Sequence, residues 1–183
     1  MRVRHKRLGY VITVMALHLV VTGRTAQAGT FLVDRTDDAP TATACTAAAN
    51  DCSLRGAVIA ADATPNEAST ITVPAGTFLL TQATDCTFRK TDCGAVSCDV
   101  TVHFTSLCLI APITLQGDSA ATTIIDGTQA GNVALVSALV TVELRDLTLT
   151  HGRQQNSDYG GGGVGSYLSL IHISEPTRLR RIS

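Results

Sequence analysis

The stretch Cys52–Leu80, CSLRGAVIAADATPNEASTITVPAGTFLL, changes periodicity once, and that change decides the fold. In its first half Leu54, Ala57, Val58 and Ala61 recur at i, i+3, i+4 and i+7, the spacing of one helix face. Ser53 stands just before them, and its hydroxyl can accept from a free N–H of the first turn. Thr64-Pro65-Asn66 closes the helix, because the residue before a proline is pushed out of the α region. The second half is β-prone: Thr70–Val73 is β-branched throughout, Pro74-Ala75-Gly76 is a turn, and Thr77–Thr81 resumes the pattern. Such a helix ahead of β-turn-β units fits a plug over an open stack of strands. The end of a stack otherwise exposes apolar core and unpaired backbone groups.

Towards the C-terminus, short β patterns continue. Val102 and Phe104 alternate with His103 and Thr105, Ile113 and Leu115 flank Thr114, and Thr122–Ile125 and Val133–Val136 read as further strands. The clearest is Val140–Thr150. There Val140, Val142 and Leu144 share one face, and the inward phase shifts at Arg145-Asp146 before Leu147 and Leu149. A phase shift of that kind is what a corner between two short strands needs. Ile125-Asp126-Gly127 and Thr150-His151-Gly152 end comparable strands at a spacing proper to solenoid repeats. A β-sandwich also has short recurring strands, but tight Gly and Asp corners favour the stacked arrangement.

The run CSLRGA, followed by an Ala-rich turn of helix and TITVPAGTFLLT, resembles the CSLREA-type N-terminal region of bacterial exported proteins. The resemblance covers roughly Thr30 to Gly165 and is most specific at Cys52–Ala57 and Leu79–Thr81. It implies an all-β fold: a right-handed parallel β-helix of the pectin-lyase type with a short N-terminal cap helix, here truncated. Gly56 departs from the pattern, which has Glu there. Gly weakens a helix and removes a carboxylate, so no role for that Glu is carried over.

Both ends read as something other than fold. Residues 1–28 have the form of a secretory signal peptide, with Arg2, Arg4, Lys6 and Arg7 ahead of the apolar run Tyr10–Val21 and an Ala26-Gln27-Ala28 cleavage site. That run is short of the about 20 residues a membrane helix requires. At the other end LSLIHISEPTR, within residues 168–183, resembles the translation of a sequencing-library adaptor, so this tail is set apart as non-native. The expectation is then an N-terminal fragment, with residues 29–167 forming the cap and first rungs of one domain.

Charge follows the same division. The whole chain carries 14 Lys+Arg against 15 Asp+Glu, but five of the basic residues lie in 1–28 and three in 168–183. Residues 29–167 keep 6 basic against 14 acidic side chains, a net of −8. Such a surface repels phosphate backbones and excludes nucleic acid as the expected partner. No membrane insertion is expected after signal cleavage.

All six cysteines fall in the mature region: Cys45, Cys52, Cys86, Cys93, Cys98 and Cys108. An even count behind a signal peptide points to disulfides in an oxidising compartment. Cys45 and Cys52 bracket a short loop and are paired with each other; the remaining four allow three pairings. No C-x-x-C and no histidine at zinc-like spacing accompanies them, so no metal is expected. Gln82–Thr101 lacks clear periodicity and reads as a disulfide-stapled loop between strands.

Catalytic signatures are weak. Gly160–Gly163 with Val164-Gly165 is followed by no Lys-Ser/Thr and by no G-x-G-x-x-G, which leaves a Gly-rich corner between rungs. Asp118 and Asp126 adjoin turn glycines and suit Asx roles. Arg145 and Asp146 fall at the inferred corner, Arg153 stands beyond it, and His103 and His151 take outward or terminal positions. Tyr159 and Tyr167 flank the Gly-rich corner as candidate sugar platforms. No catalytic residue is assigned and no cofactor is expected. The reading is an exported surface or secreted β-helix protein, a binding, adhesive or structural module facing an extracellular glycan or surface ligand. The alternative is a polysaccharide lyase or glycoside hydrolase with its site in further rungs, and only there would calcium enter.

Overall fold

The computed structural model describes residues 29–90, 98–154, 162–166, 170–174 and 177–179. The chain is mostly β, with one α-helix among the described residues. In order, β1 (Thr30–Leu32) is followed by α1 (Leu54–Asp62), β2 (Ser69–Val73), β3 (Gly76–Leu79), β4 (Thr84–Lys90) and β5 (Cys98–Phe104). Then come β6 (Leu107–Leu109), β7 (Ile113–Gly117), β8 (Thr123–Asp126), β9 (Ala134–Val136) and β10 (Thr141–Arg145). The last are β11 (Thr148–Thr150), β12 (Val164–Ser166), β13 (Leu170–Ser174) and β14 (Arg178–Leu179).

The twelve strands outside the β4–β5 pair form three parallel sheets, with orders β1-β2-β7-β10-β13, β14-β11-β8-β3 and β12-β9-β6. The chain visits these sheets in turn, β7-β8-β9 and then β10-β11-β12. Register aligns like residues in columns. Ile71, Leu115 and Leu144 stand side by side on the first sheet, and Phe78, Ile125 and Leu149 on the second. All six are at most 2% exposed and belong to one apolar core. At roughly 25 cal/mol per Å² of buried apolar surface, these columns supply the main favourable term of the fold.

The corners fall where the phase shift requires them. Asp146 adopts φ 51° between β10 and β11, and His151 adopts φ 50° after β11. Asp and His tolerate the left-handed region better than most residues. Leu147 and Leu149 on the far side of the first corner are buried, as the shifted pattern predicts.

The helix matches its sequence signals. Ser53 is the N-cap, its Oγ accepting from the Gly56 N–H at 2.8 Å, and Leu54, Ala57, Val58 and Ala61 form the buried face. Gly56 needs a different account from helix propensity. A Cβ built there would lie 1.8 Å from the Ala42 carbonyl oxygen. Close passage of the 39–42 segment over the first turn admits no side chain at that position.

Gln82–Thr101 corrects the expectation of a loop. β4 and β5 pair antiparallel from Thr84↔Phe104 to Lys90↔Cys98, so Val102 and Phe104 belong to this hairpin and not to the parallel sheets. Its inner face carries Cys86 and Phe88, which pack on Leu135 of β9 with Val102, Phe104, Cys108 and Ile110. The pattern was hard to read because polar residues such as Asp85, Thr87 and Arg89 alternate with only a few apolar ones. β6 lacks a sequence signal of its own, since three residues are too short for periodicity.

Within the stretch set apart by its resemblance to an adaptor translation, β13 lies along β10 and β14 along β11. Ile171-His172-Ile173-Ser174 alternates in the manner of a strand, and an open sheet edge offers unpaired N–H and C=O groups to such a run.

Candidate functional site

Sequence spacing places Arg55, Val58, Ile59 and Asp62 on one stripe of α1, at i, i+3, i+4 and i+7. This stripe faces the hairpin and β6 across a cleft of about 420 Å³. Val58, Ile59, Leu107 and Ile110 supply apolar walls, and Cys108 lines it beside Thr84, Asp85 and Thr87. The Cys86–Cys108 disulfide ties β4 to β6 and so holds the cleft's far wall to the parallel stack.

Arg55 closes one end. Its Nε and Nη2 donate to Asp38 at 2.7 and 2.9 Å. Nη1 donates to Thr84 Oγ1 at 3.2 Å and to Ser106 O at 3.0 Å, and Nη2 also donates to Thr105 O at 2.6 Å. All five guanidinium N–H groups are thereby used. Asp38 in turn accepts from the backbone N–H of Thr81 and Gln82, each at 2.7 Å. Both side chains are 2% exposed. One ion pair therefore joins the N-terminal segment, the cap helix, the chain leaving β3 and the turn between β5 and β6. A buried charge pair of this kind is tolerable only because each polar atom is satisfied.

Asp62 lies towards the other end. Its Oδ1 accepts from the Ile110 and Ala111 N–H groups, both at 3.0 Å. Among the described residues no hydrogen bond reaches Oδ2. Burial pushes this carboxyl up to about 7, against the two backbone donors that favour its charged form.

The structure disperses the residues singled out from sequence. His103 Nδ1 meets Asp85 Oδ1 at 2.8 Å on the exposed hairpin surface. His151 Nδ1 meets Asp126 Oδ2 at 2.8 Å, 25 residues away in sequence, so it is paired and not merely solvated. Asp126 Oδ1 also accepts from the Thr128 N–H at 2.8 Å, an Asx turn as expected. Asp118 accepts from Thr122 Oγ1 at 3.2 Å. Asp146 accepts from Gln116 Nε2 at 2.7 Å. Arg145 pairs with Glu143 at 2.6 Å, and that guanidinium holds the Glu143 carboxyl below its ordinary value. Arg153 is exposed, and its backbone N–H donates to Gly131 O.

Cys45 and Cys52 are bonded, and Cys86 pairs with Cys108, choosing among the open alternatives. Asp34 braces the first loop, accepting from the N–H groups of Asn50, Asp51 and Cys52. Two disulfides fit an oxidising compartment. Cys93, Tyr159 and Tyr167, with residues 1–28, lie outside the described residues. Gly162 and Gly163 accept from the N–H of Val133 at the edge of β9. No group of three or more His, Cys, Asp or Glu side chains gathers in a metal-binding arrangement among the described residues.

The cleft residues Arg55 and Asp62, and Asp38 that pairs with Arg55, were not singled out from sequence. The i, i+3, i+4, i+7 stripe from Arg55 to Asp62 is a signal that could have marked two of them. Asp38 had none, because its partner lies 17 positions on. Compared with family models, with curated proteins and with solved structures, the chain matches none.

Proposed function

We propose that this chain is an exported protein built on a right-handed parallel β-helix, acting outside the cytoplasm as a binding or adhesive module for a glycan or other surface ligand. The cyclic order of the three parallel sheets supports the β-helix reading, and crossovers between parallel strands are right-handed in almost all proteins. The CSLREA-type resemblance at Cys52–Ala57, the leader-like residues 1–28 and the two disulfides support export.

The observation that carries the binding role is an outward row on the first sheet. Thr70, Thr114 and Glu143 stand in register, beside a second row of Thr72, Gln116 and Arg145. These side chains are exposed or half-buried. They present hydroxyl, amide, carboxylate and guanidinium groups at the strand spacing of about 4.8 Å, which suits hydrogen bonding to a polyhydroxylated chain.

The test is expression with the native leader, followed by fractionation, thiol titration and binding of the exported protein to arrayed glycans. Export with oxidised cysteines and glycan binding weakened by Thr114→Lys is the expected result. Cytoplasmic retention with free thiols overturns the export reading. Absence of any glycan binding overturns the module, and turnover of an acidic polysaccharide favours an enzyme instead.

A further inference from the structure

The cleft beside α1 combines apolar walls with one carboxylate whose second oxygen has no hydrogen-bond partner among the described residues. Its size is in the range of small-molecule sites, which are mostly apolar with a few placed polar groups. Charge decides what suits it. Arg55 cannot neutralise Asp62, because its five N–H donors are committed to Asp38, Thr84, Thr105 and Ser106. Of the β4 residues that line the cleft, the charged one is Asp85, held at the rim by His103 of β5. β6 contributes Leu107 and Cys108 and no charge. An anion would meet one or two carboxylates, and a neutral apolar molecule would leave Asp62 desolvated without compensation.

We propose that this cleft binds small organic ammonium compounds, the ammonium meeting Asp62 and an apolar body lying on Val58, Ile59, Leu107 and Ile110. The ammonium donates to Oδ2, while Oδ1 keeps its bonds to the Ile110 and Ala111 N–H groups. A cation restores the stabilisation that burial removes from the carboxylate, whose affinity for a proton is already raised to about 7. Below that pH the ligand displaces a proton. The site is separate from the outward sheet rows, so it stands or falls independently of the glycan-binding role.

The experiment uses the exported, disulfide-bonded chain with 2-phenylethylamine and its neutral counterpart 2-phenylethanol, followed by calorimetry and amide chemical shifts. At pH 8 the amine should bind about tenfold or more tightly than the alcohol, an affinity difference of about 1.4 kcal/mol. That preference should shrink towards pH 5, where the amine is still charged but Asp62 is protonated. Asp62→Asn keeps an oxygen for the Ile110 and Ala111 N–H groups and should abolish the preference. Equal affinity for amine and alcohol at pH 8 overturns the proposal. So does a preference that survives in Asp62→Asn, which would belong to Asp85 and His103. Should the variant fail to fold, a pH-independent preference in the native chain overturns it equally.

Discussion

The Arg55 guanidinium and the Asp38 carboxylate face each other as a two-bond pair, at 2.7 and 2.9 Å, with both side chains 2% exposed. The pair links segments that are otherwise separate in the chain. Its remaining donors and acceptors go to Thr81, Gln82, Thr84, Thr105 and Ser106. It is the point at which the cap helix is fastened to the parallel stack and to the hairpin.

Removing one partner leaves the other charge buried and unpaired. Asp38→Ala is therefore expected to cost about 3–5 kcal/mol of stability, measured by urea unfolding at neutral pH. Arg55→Lys should recover little, since an ammonium cannot supply the two parallel bonds of a guanidinium. Replacing both residues together by apolar ones of similar volume should cost less than either single change. A loss below about 1 kcal/mol for Asp38→Ala, the level of an exposed ion pair, would show that the pair does not fasten the cap.

Asp62 makes stability depend on pH in a fixed direction. Its folded value is about 7 and its ordinary value 3.8. Below 3.8 it is protonated in both states and costs nothing. As pH rises towards 7 the unfolded chain ionises first, so stability falls, and above 7 the penalty is constant. Asp62→Asn removes this penalty. The variant should match the native chain near pH 4 and exceed it by ~2–4 kcal/mol at pH 8. A variant less stable than the native chain at pH 8 would mean that the Ile110 and Ala111 N–H groups outweigh burial.

The Cys86–Cys108 bond closes 22 residues and joins the hairpin to β6. Replacing both cysteines by Ala should cost about 3 kcal/mol through the freer unfolded chain. Hydrogen exchange should quicken across β4 and β5 more than across β7, β8 and β10. The hairpin's own apolar cluster is small, and the parallel sheets share the larger core. Uniform quickening in both regions would show that hairpin and stack open as one unit.

Local periodicity was legible wherever a residue's role depends on its near neighbours. The helix face from Leu54 to Ala61, the Ser53 cap and the corner at Arg145-Asp146 all appear at their sequence-derived places. So do the buried Val142, Leu144, Leu147 and Leu149. The hairpin was not legible, because its few apolar side chains cluster across the two strands and against Leu135 of β9 and Cys108 of β6, contacts that only the folded chain supplies.

The strand-rich character, the cap helix, the acidic balance of residues 29–167 and the Cys45–Cys52 bond all follow from composition or from short separations along the chain. The folded arrangement set the rest. It chose Cys86–Cys108 among the open pairings, required glycine at Gly56 through the passing Ala42 carbonyl, and buried Arg55 against Asp38. It also desolvated Asp62 against the N–H groups of Ile110 and Ala111, 48 and 49 residues away. All four share one cause: the partner is brought in by the return of the chain, and burial sets the energy of the contact.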